Sequence, residues 1–212
     1  MIANILYIGK DDPATTSGQR AGALRRLGYR VIILNLDPVF KRSIYSKISY
    51  ITGYRFSQKV LLSAVQNFLG MLSETIDLVW IDDAQYIGPN IVLWLKKFLS
   101  APVLLYEIDD PTGKRDYTSF YSLRRSIPFY DLCVFVRKET SLEALALKAK
   151  KVLTVSRSYD ERVHLVQSHM GVATHDQKQI SFIGTNFKQE ARDEFLYRLY
   201  KCGLPIRIYG NK

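Results

Sequence analysis

A chain of 212 residues, 47% apolar and 24% charged, is long enough for one domain and a smaller second one. None of its apolar runs reaches the roughly 18 residues of a membrane-crossing helix. Its 30 Lys and Arg against 20 Asp and Glu leave a net charge of +10, which favours anionic partners: phosphates, nucleic acid or acidic headgroups. The two cysteines, Cys133 and Cys202, make neither a disulfide framework nor a four-cysteine zinc site, and fit a reducing, cytosolic setting.

The opening MIANILYIGKDD lacks a basic segment followed by an unbroken apolar stretch, so it reads as a first strand rather than a signal peptide. That strand covers residues 5–8 and ends at Gly9 and a polar loop. Residues 18–27 read as a helix with Ala21, Leu24 and Leu27 on one face and Arg20, Arg25 and Arg26 outside; Ser17 is its expected N-cap and Gly28 its stop. A second strand at 31–34 completes a βαβ unit, whose parallel pairing needs the helix as crossover. Next comes a stretch with no acidic residue between Asp37 and Glu74, holding Lys41, Arg42, Lys47, Arg55 and Lys59. Tyr45, Tyr50, Tyr54 and Phe56 interleave with these cations, as in surfaces that bind single-stranded nucleic acid or an anionic membrane.

Beyond it the pattern predicts a helix at 60–72, a strand at 77–81, a helix at 90–99, a strand at 103–106, a helix at 117–125 and a strand at 132–136. Thr140-Ser141-Leu142-Glu143 has capping-box spacing and is expected to open the next helix, before a strand at 152–155. Wholly apolar strands alternating with helices imply a doubly wound α/β fold, a parallel sheet covered on both faces. Residues 1–156 form this Rossmann-like domain. Residues 157–178 are polar, contain His164, His169 and His175, and read as a linker. Residues 179–212 start a second βαβ segment that is too small to fold unaided.

In an open parallel sheet, ligands bind outside the carboxyl ends of the strands. Four loops qualify. Residues 10–20 contain Ser17, Gly18 and Arg20 at a helix start suited to phosphate, although the G-x-G-x-x-G and G-x-x-x-x-G-K-[ST] fingerprints are absent. The pairs Asp82-Asp83 and Asp109-Asp110 follow strands, where carboxylates act as bases or hold sugar hydroxyls; either pair serves equally as a turn or cap. Arg137-Lys138 follows another strand, where a cation meets a diphosphate or balances the acids. The histidine spacing and the lack of a G-x-S-x-G elbow argue against a zinc site and a serine hydrolase.

The order of motifs then becomes informative. SGQRAGALRRLGYRV resembles the acceptor-side half of GT-B glycosyltransferases, and DLVWIDD, YEIDDP, YDLCVFV and ISFIGT…IRIYGN resemble, in that order, the CgeB-like (spore maturation protein) branch. The resemblance runs from Ile5 to Asn211. It implies a cytoplasmic two-domain transferase moving a sugar from a nucleotide-sugar donor to a saccharide, lipid-linked or protein acceptor. No metal cofactor is implied, the leaving diphosphate being met by helix N-termini and basic side chains. Ser17 and Gly18 would approach the diphosphate, Asp109 and Asp110 would face the cleft as base or sugar-hydroxyl ligand, and Gly184 would begin the donor domain. The phosphate and ribose ligands usual further along that domain are missing, which implies a truncated chain or one needing a partner chain. Two other readings stand beside it. One is a non-catalytic module whose stretch 40–59 docks an anionic membrane or nucleic acid. The other is a receiver-like phosphoacceptor built on Asp11, Asp12 and Asp82.

Overall fold

Short runs of branched and aromatic residues bounded by turns supply six strands: β1 (Asn4–Ile8), β2 (Arg30–Leu34), β3 (Leu78–Asp82), β4 (Val103–Glu107), β5 (Leu132–Phe135) and β6 (Val152–Thr154). In the computed structural model, which describes residues 3–40, 43–82, 85–113, 116–164, 180–184 and 191–210, they form one sheet in the order β2-β1-β3-β4-β5-β6. Every pair is parallel, with Tyr7 beside Ile33 and Trp80 and with Asp82 beside Tyr106. The crossovers carry helices α1 (Thr16–Arg26), α2 (Ser43–Ile51), α3 (Gln58–Leu69), α4 (Pro89–Leu99), α5 (Tyr121–Ser126) and α6 (Lys138–Ala146). The chain has the expected Rossmann-like doubly wound α/β fold. It divides into two units, Met1–His164 and Leu165–Lys212.

The sheet's two faces differ. Leu6, Ile8, Val79, Ile81, Val103, Leu105, Cys133 and Phe135 enter one continuous core with Leu61 and Val65 of α3, Ile91 and Leu95 of α4, Leu123 of α5 and Ala144 of α6. Each fully buried aliphatic side chain there contributes about 1.5–3 kcal/mol, so this face supplies most of the first unit's stability. The residues between them in sequence, Ile5, Tyr7, Tyr106 and Val134, lie outside that cluster, as does the buried Ala21 of α1. On this second face Trp80 and Leu104 are only half-buried.

Four local expectations change. Thr15, not Ser17, caps α1: its Oγ1 accepts the Gly18 N–H at 3.1 Å, while Ser17 is buried. Arg20 does not lie outside; its side chain is 15% exposed, whereas Leu27 is 74% exposed. The capping box does not form, because α6 already starts at Lys138 and the Thr140 and Ser141 hydroxyls turn to Asp110 and to Arg137 O. The basic stretch, where no element is predicted before residue 60, contains α2, preceded by a 3-10 turn (Asp37–Phe40).

The second unit pairs β7 (Ile180–Ile183) and β8 (Ile206–Tyr209) in parallel around α7 (Arg192–Lys201). Leu196 is its single buried residue among those described, and Phe195, Tyr200 and Ile208 are exposed. Gly184, just after β7, donates its N–H to Tyr209 O at 3.0 Å.

Candidate functional site

Strand β1 lies between β2 and β3, so the connections to either side leave in opposite directions, and the crevice of the fold opens at the carboxyl ends of β1 and β3. The first turn of α1 fills this point. Arg20 reaches across to Asp82, donating from Nε to Oδ2 at 2.5 Å and from Nη2 to Oδ1 at 2.7 Å, while its guanidinium lies 4.7 Å from the centre of the Tyr106 ring. The Tyr7 hydroxyl donates to Asp82 Oδ2 and lies 2.8 Å from Ser17 O. Burial, then the adjacent Asp82 charge, raises the Tyr7 phenol above its usual range. Burial disfavours the Arg20 cation, but the Asp82 hydrogen bonds and charge outweigh it and hold the guanidinium protonated.

Around this pair the backbone is tightly packed. Ser17 Oγ accepts the Lys10 N–H at 3.0 Å. A Cβ on Gly18 would sit 2.1 Å from Asp12 O, and one on Gly9 would sit 2.7 Å from Ser17 Oγ. The Ser17 hydroxyl, the Gly18 N–H and the Arg20 guanidinium are therefore all engaged within the protein. Asp82 is 1% exposed and both its oxygens accept hydrogen bonds, the opposite of an accessible phosphoacceptor. Asp83 lies outside the described residues.

The second acidic turn is more open. At the end of β4, buried Glu107 accepts the Asp109 N–H at 2.9 Å through Oε1, and Asp109 itself is exposed. Asp110 Oδ1 accepts from Thr112 Oγ1 at 2.9 Å and Thr140 Oγ1 at 3.4 Å, and Oδ2 accepts from Arg137 Nη1 at 3.2 Å. Its side chain stays one-third exposed (33%). The acid at the end of β4 and the cation at the end of β5 thus meet, with Arg137 as the partner. Lys138, at the start of α6, is exposed. The single Thr112 hydroxyl proton is shared with Glu143 of α6, while Thr140 and Arg137 reach the Asp110 carboxylate from α6 and the end of β5.

Of the basic stretch, Lys47, Arg55 and Lys59 are exposed, and Lys41 and Arg42 lie outside the described residues. Its aromatic residues divide. Tyr45 and Tyr54 pack on Phe40, and Tyr54 also on Tyr86 after β3, which spends those rings inside the protein. Phe56 remains exposed. The exposed face of α2 carries Ile44 (74%), Ile48 (53%) and Ile51 (68%), three or four residues apart.

Glu107 and Thr140 escaped the sequence reading as site residues, whereas Arg137 was read there, with Lys138, as a cation that could balance the acids. A glutamate ending the apolar run VLLYE was the available signal for the first; nothing local marked Thr140. Among the described residues no cluster of three His, Cys, Asp or Glu fits a metal ion, and no helix is long and apolar enough to cross a membrane. His169 and His175 lie outside the described residues. In comparisons with known proteins, the sequence matches no family model and no curated relative.

Proposed function

We infer that the chain is the acceptor-side part of a GT-B-type glycosyltransferase that binds its sugar ligands at the carboxyl edge of β4 and β5. The observation carrying this reading is Asp110, a one-third-exposed carboxylate that Arg137, Thr112 and Thr140 orient at the strand edge. With Thr112 and Thr140 on one oxygen and Arg137 on the other, Asp110 is already oriented and suits a sugar-hydroxyl ligand better than a base. Asp109, exposed one residue earlier, is the candidate base. Lys138 and the α6 N-terminus would meet the negative charge of a nucleotide-sugar diphosphate, and Gly184 would belong to the donor side.

The test is calorimetry and thermal shift with UDP, GDP, TDP and their common sugar conjugates. Saturable stabilisation by one conjugate, weakened about tenfold or more in Asp110→Asn, supports the reading. Silence across the panel, or binding indifferent to Asp110→Asn, overturns it.

A second reading rests on the exposed Ile44, Ile48 and Ile51 of α2, flanked by Lys47, Arg55 and Lys59. An apolar stripe rimmed by cations fits the interface of an anionic bilayer, which would put the protein at the cytoplasmic surface of a membrane. Sedimentation with phosphatidylserine vesicles, lost in Ile48→Asp and at high salt, supports it. Binding to single-stranded nucleic acid in place of vesicles would assign the stretch to that partner instead.

A further inference from the structure

A cavity of about 300 Å³, whose lining includes neither Asp110 nor the Arg20–Asp82 pair, opens at the start of α4 and α5, lined by Arg55, Gln58, Asn90, Tyr121, Ser122 and Arg125. No acidic side chain lines it. Arg55 lies 4.4 Å from the centre of the Tyr121 ring and Arg125 5.7 Å from it, so two guanidinium groups share one ring. Among the described residues neither meets a carboxylate: Arg55 Nε donates to Thr52 O at 2.9 Å, and Arg125 Nη1 to the Tyr121 hydroxyl at 2.9 Å. The hydrogen bond from Arg125, then its charge, holds the Tyr121 phenol below its usual range.

The walls are fixed. The Gln58 amide nitrogen donates to Tyr54 O at 2.8 Å and Tyr86 O at 3.0 Å and lies 3.2 Å from Ser122 Oγ, and its Oε1 accepts the Gly88 N–H at 2.9 Å. One side chain thereby ties α3, α5 and the loop entering α4 together. Gly88 caps α4 without a side chain, and the first turn of α4 has no acidic residue, so the positive end of that helix dipole also faces the cavity at Asn90. Two cations and a helix N-terminus line a space with no acidic side chain among its lining residues, and a bound anion would offset their charge.

We propose that this cavity binds a phosphate monoester, its oxygens held by Arg55 and Arg125 in the fork geometry of guanidinium–phosphate pairs and its remaining charge met by the α4 N-terminus. The site stands independently of the transfer reading. A phosphate of this kind comes from a soluble sugar phosphate or from a lipid headgroup, and the same contacts serve both.

The experiment titrates the full chain with inorganic phosphate and glucose 6-phosphate by calorimetry, and in a parallel arm with phosphatidylcholine vesicles carrying phosphatidic acid. Arg55→Gln and Arg125→Gln each weaken binding about tenfold or more, whereas Lys97→Gln, which removes the same charge at the other end of α4, leaves it within about twofold. Asn90→Asp separates ligand binding from folding: a carboxylate at the helix N-terminus raises the thermal midpoint yet abolishes phosphate binding. Sensitivity of the soluble arm to these changes assigns a soluble ligand; sensitivity of the vesicle arm alone assigns a lipid. Absence of saturable binding in both arms, or equal losses in Lys97→Gln, overturns the proposal.

Discussion

Arg20 and Asp82 decide whether the crevice at the switch point is a binding site or a structural joint. Replacing Arg20 by Met strips two charge-assisted hydrogen bonds from a carboxylate that is 1% exposed and leaves it only Tyr7. Breaking a buried pair from one side costs about 3–5 kcal/mol. The Arg20 side chain is 15% exposed, which lets water reach the orphaned charge and sets the expected loss near the low end, about 3 kcal/mol. In a unit of this size that lowers the thermal midpoint by about 6–12 °C. Asp82→Asn removes the charge but keeps an acceptor for Tyr7, and the double variant is expected to recover about 1–2 kcal/mol relative to the sum of the single losses.

Urea unfolding followed by circular dichroism measures all four corners of that cycle. Additivity within about 0.5 kcal/mol, with Arg20→Met costing less than about 1 kcal/mol, would refute the reasoning. The guanidinium would then be available to a ligand diphosphate, as the sequence alone suggests.

Other consequences follow from packing and protonation. Gly18→Ala places a methyl 2.1 Å from a backbone carbonyl and is expected to cost about 1–3 kcal/mol, whereas Gly22→Ala, whose nearest neighbour would be Arg26 Nη1 at 3.5 Å, gains up to about 1 kcal/mol; thermal melts separate the two. Burial pushes the Cys133 thiol up to about 12, so the unfolded chain ionises first and stability falls as pH rises above about 9, by about 1.4 kcal/mol per pH unit for each such group; Tyr7 and Tyr130 add to the fall above about 10. In Cys133→Ala the decline between pH 9 and 10 flattens in urea titrations. Asp131 is pulled the other way: partial burial opposes ionisation, but Lys96, the Val103 N–H and Lys150 hold its carboxyl below the usual range. Its contribution is complete above about pH 4 and lost below it, so Asp131→Asn lowers stability at pH 7 by about 1 kcal/mol and flattens the acid limb.

The sheet was legible because each strand is apolar on both faces, the mark of a parallel sheet buried between layers. Its helices were legible to within a few residues wherever their faces were one-sided, as in α3 and α4. Arg20 was not, because periodicity sends an arginine outward and its partner Asp82 lies 62 residues away in the chain. The choice between Thr15 and Ser17 as cap rests on which hydroxyl the Lys10 N–H claims, a contact set by the loop rather than by local propensity. Helix α2 was hidden for a different reason. Its isoleucines recur with helical spacing, but they point to solvent, and the reading followed the charges instead.

The same long-range pairing redirects where chemistry can sit. At the switch point Arg20 pairs with Asp82, Ser17 Oγ with the Lys10 N–H and the Gly18 N–H with Thr15, so a ligand arriving there must displace a buried ion pair before gaining a contact. At the ends of β4 and β5 the carboxylate of Asp110 is one-third exposed and already oriented, and around Tyr121 two guanidinium groups stand without a carboxylate among the described residues. Binding at either place adds an interaction without breaking a buried one. The fold thus spends its most conspicuous polar residues on joining α1 to the sheet, and leaves recognition to side chains further along the same edge.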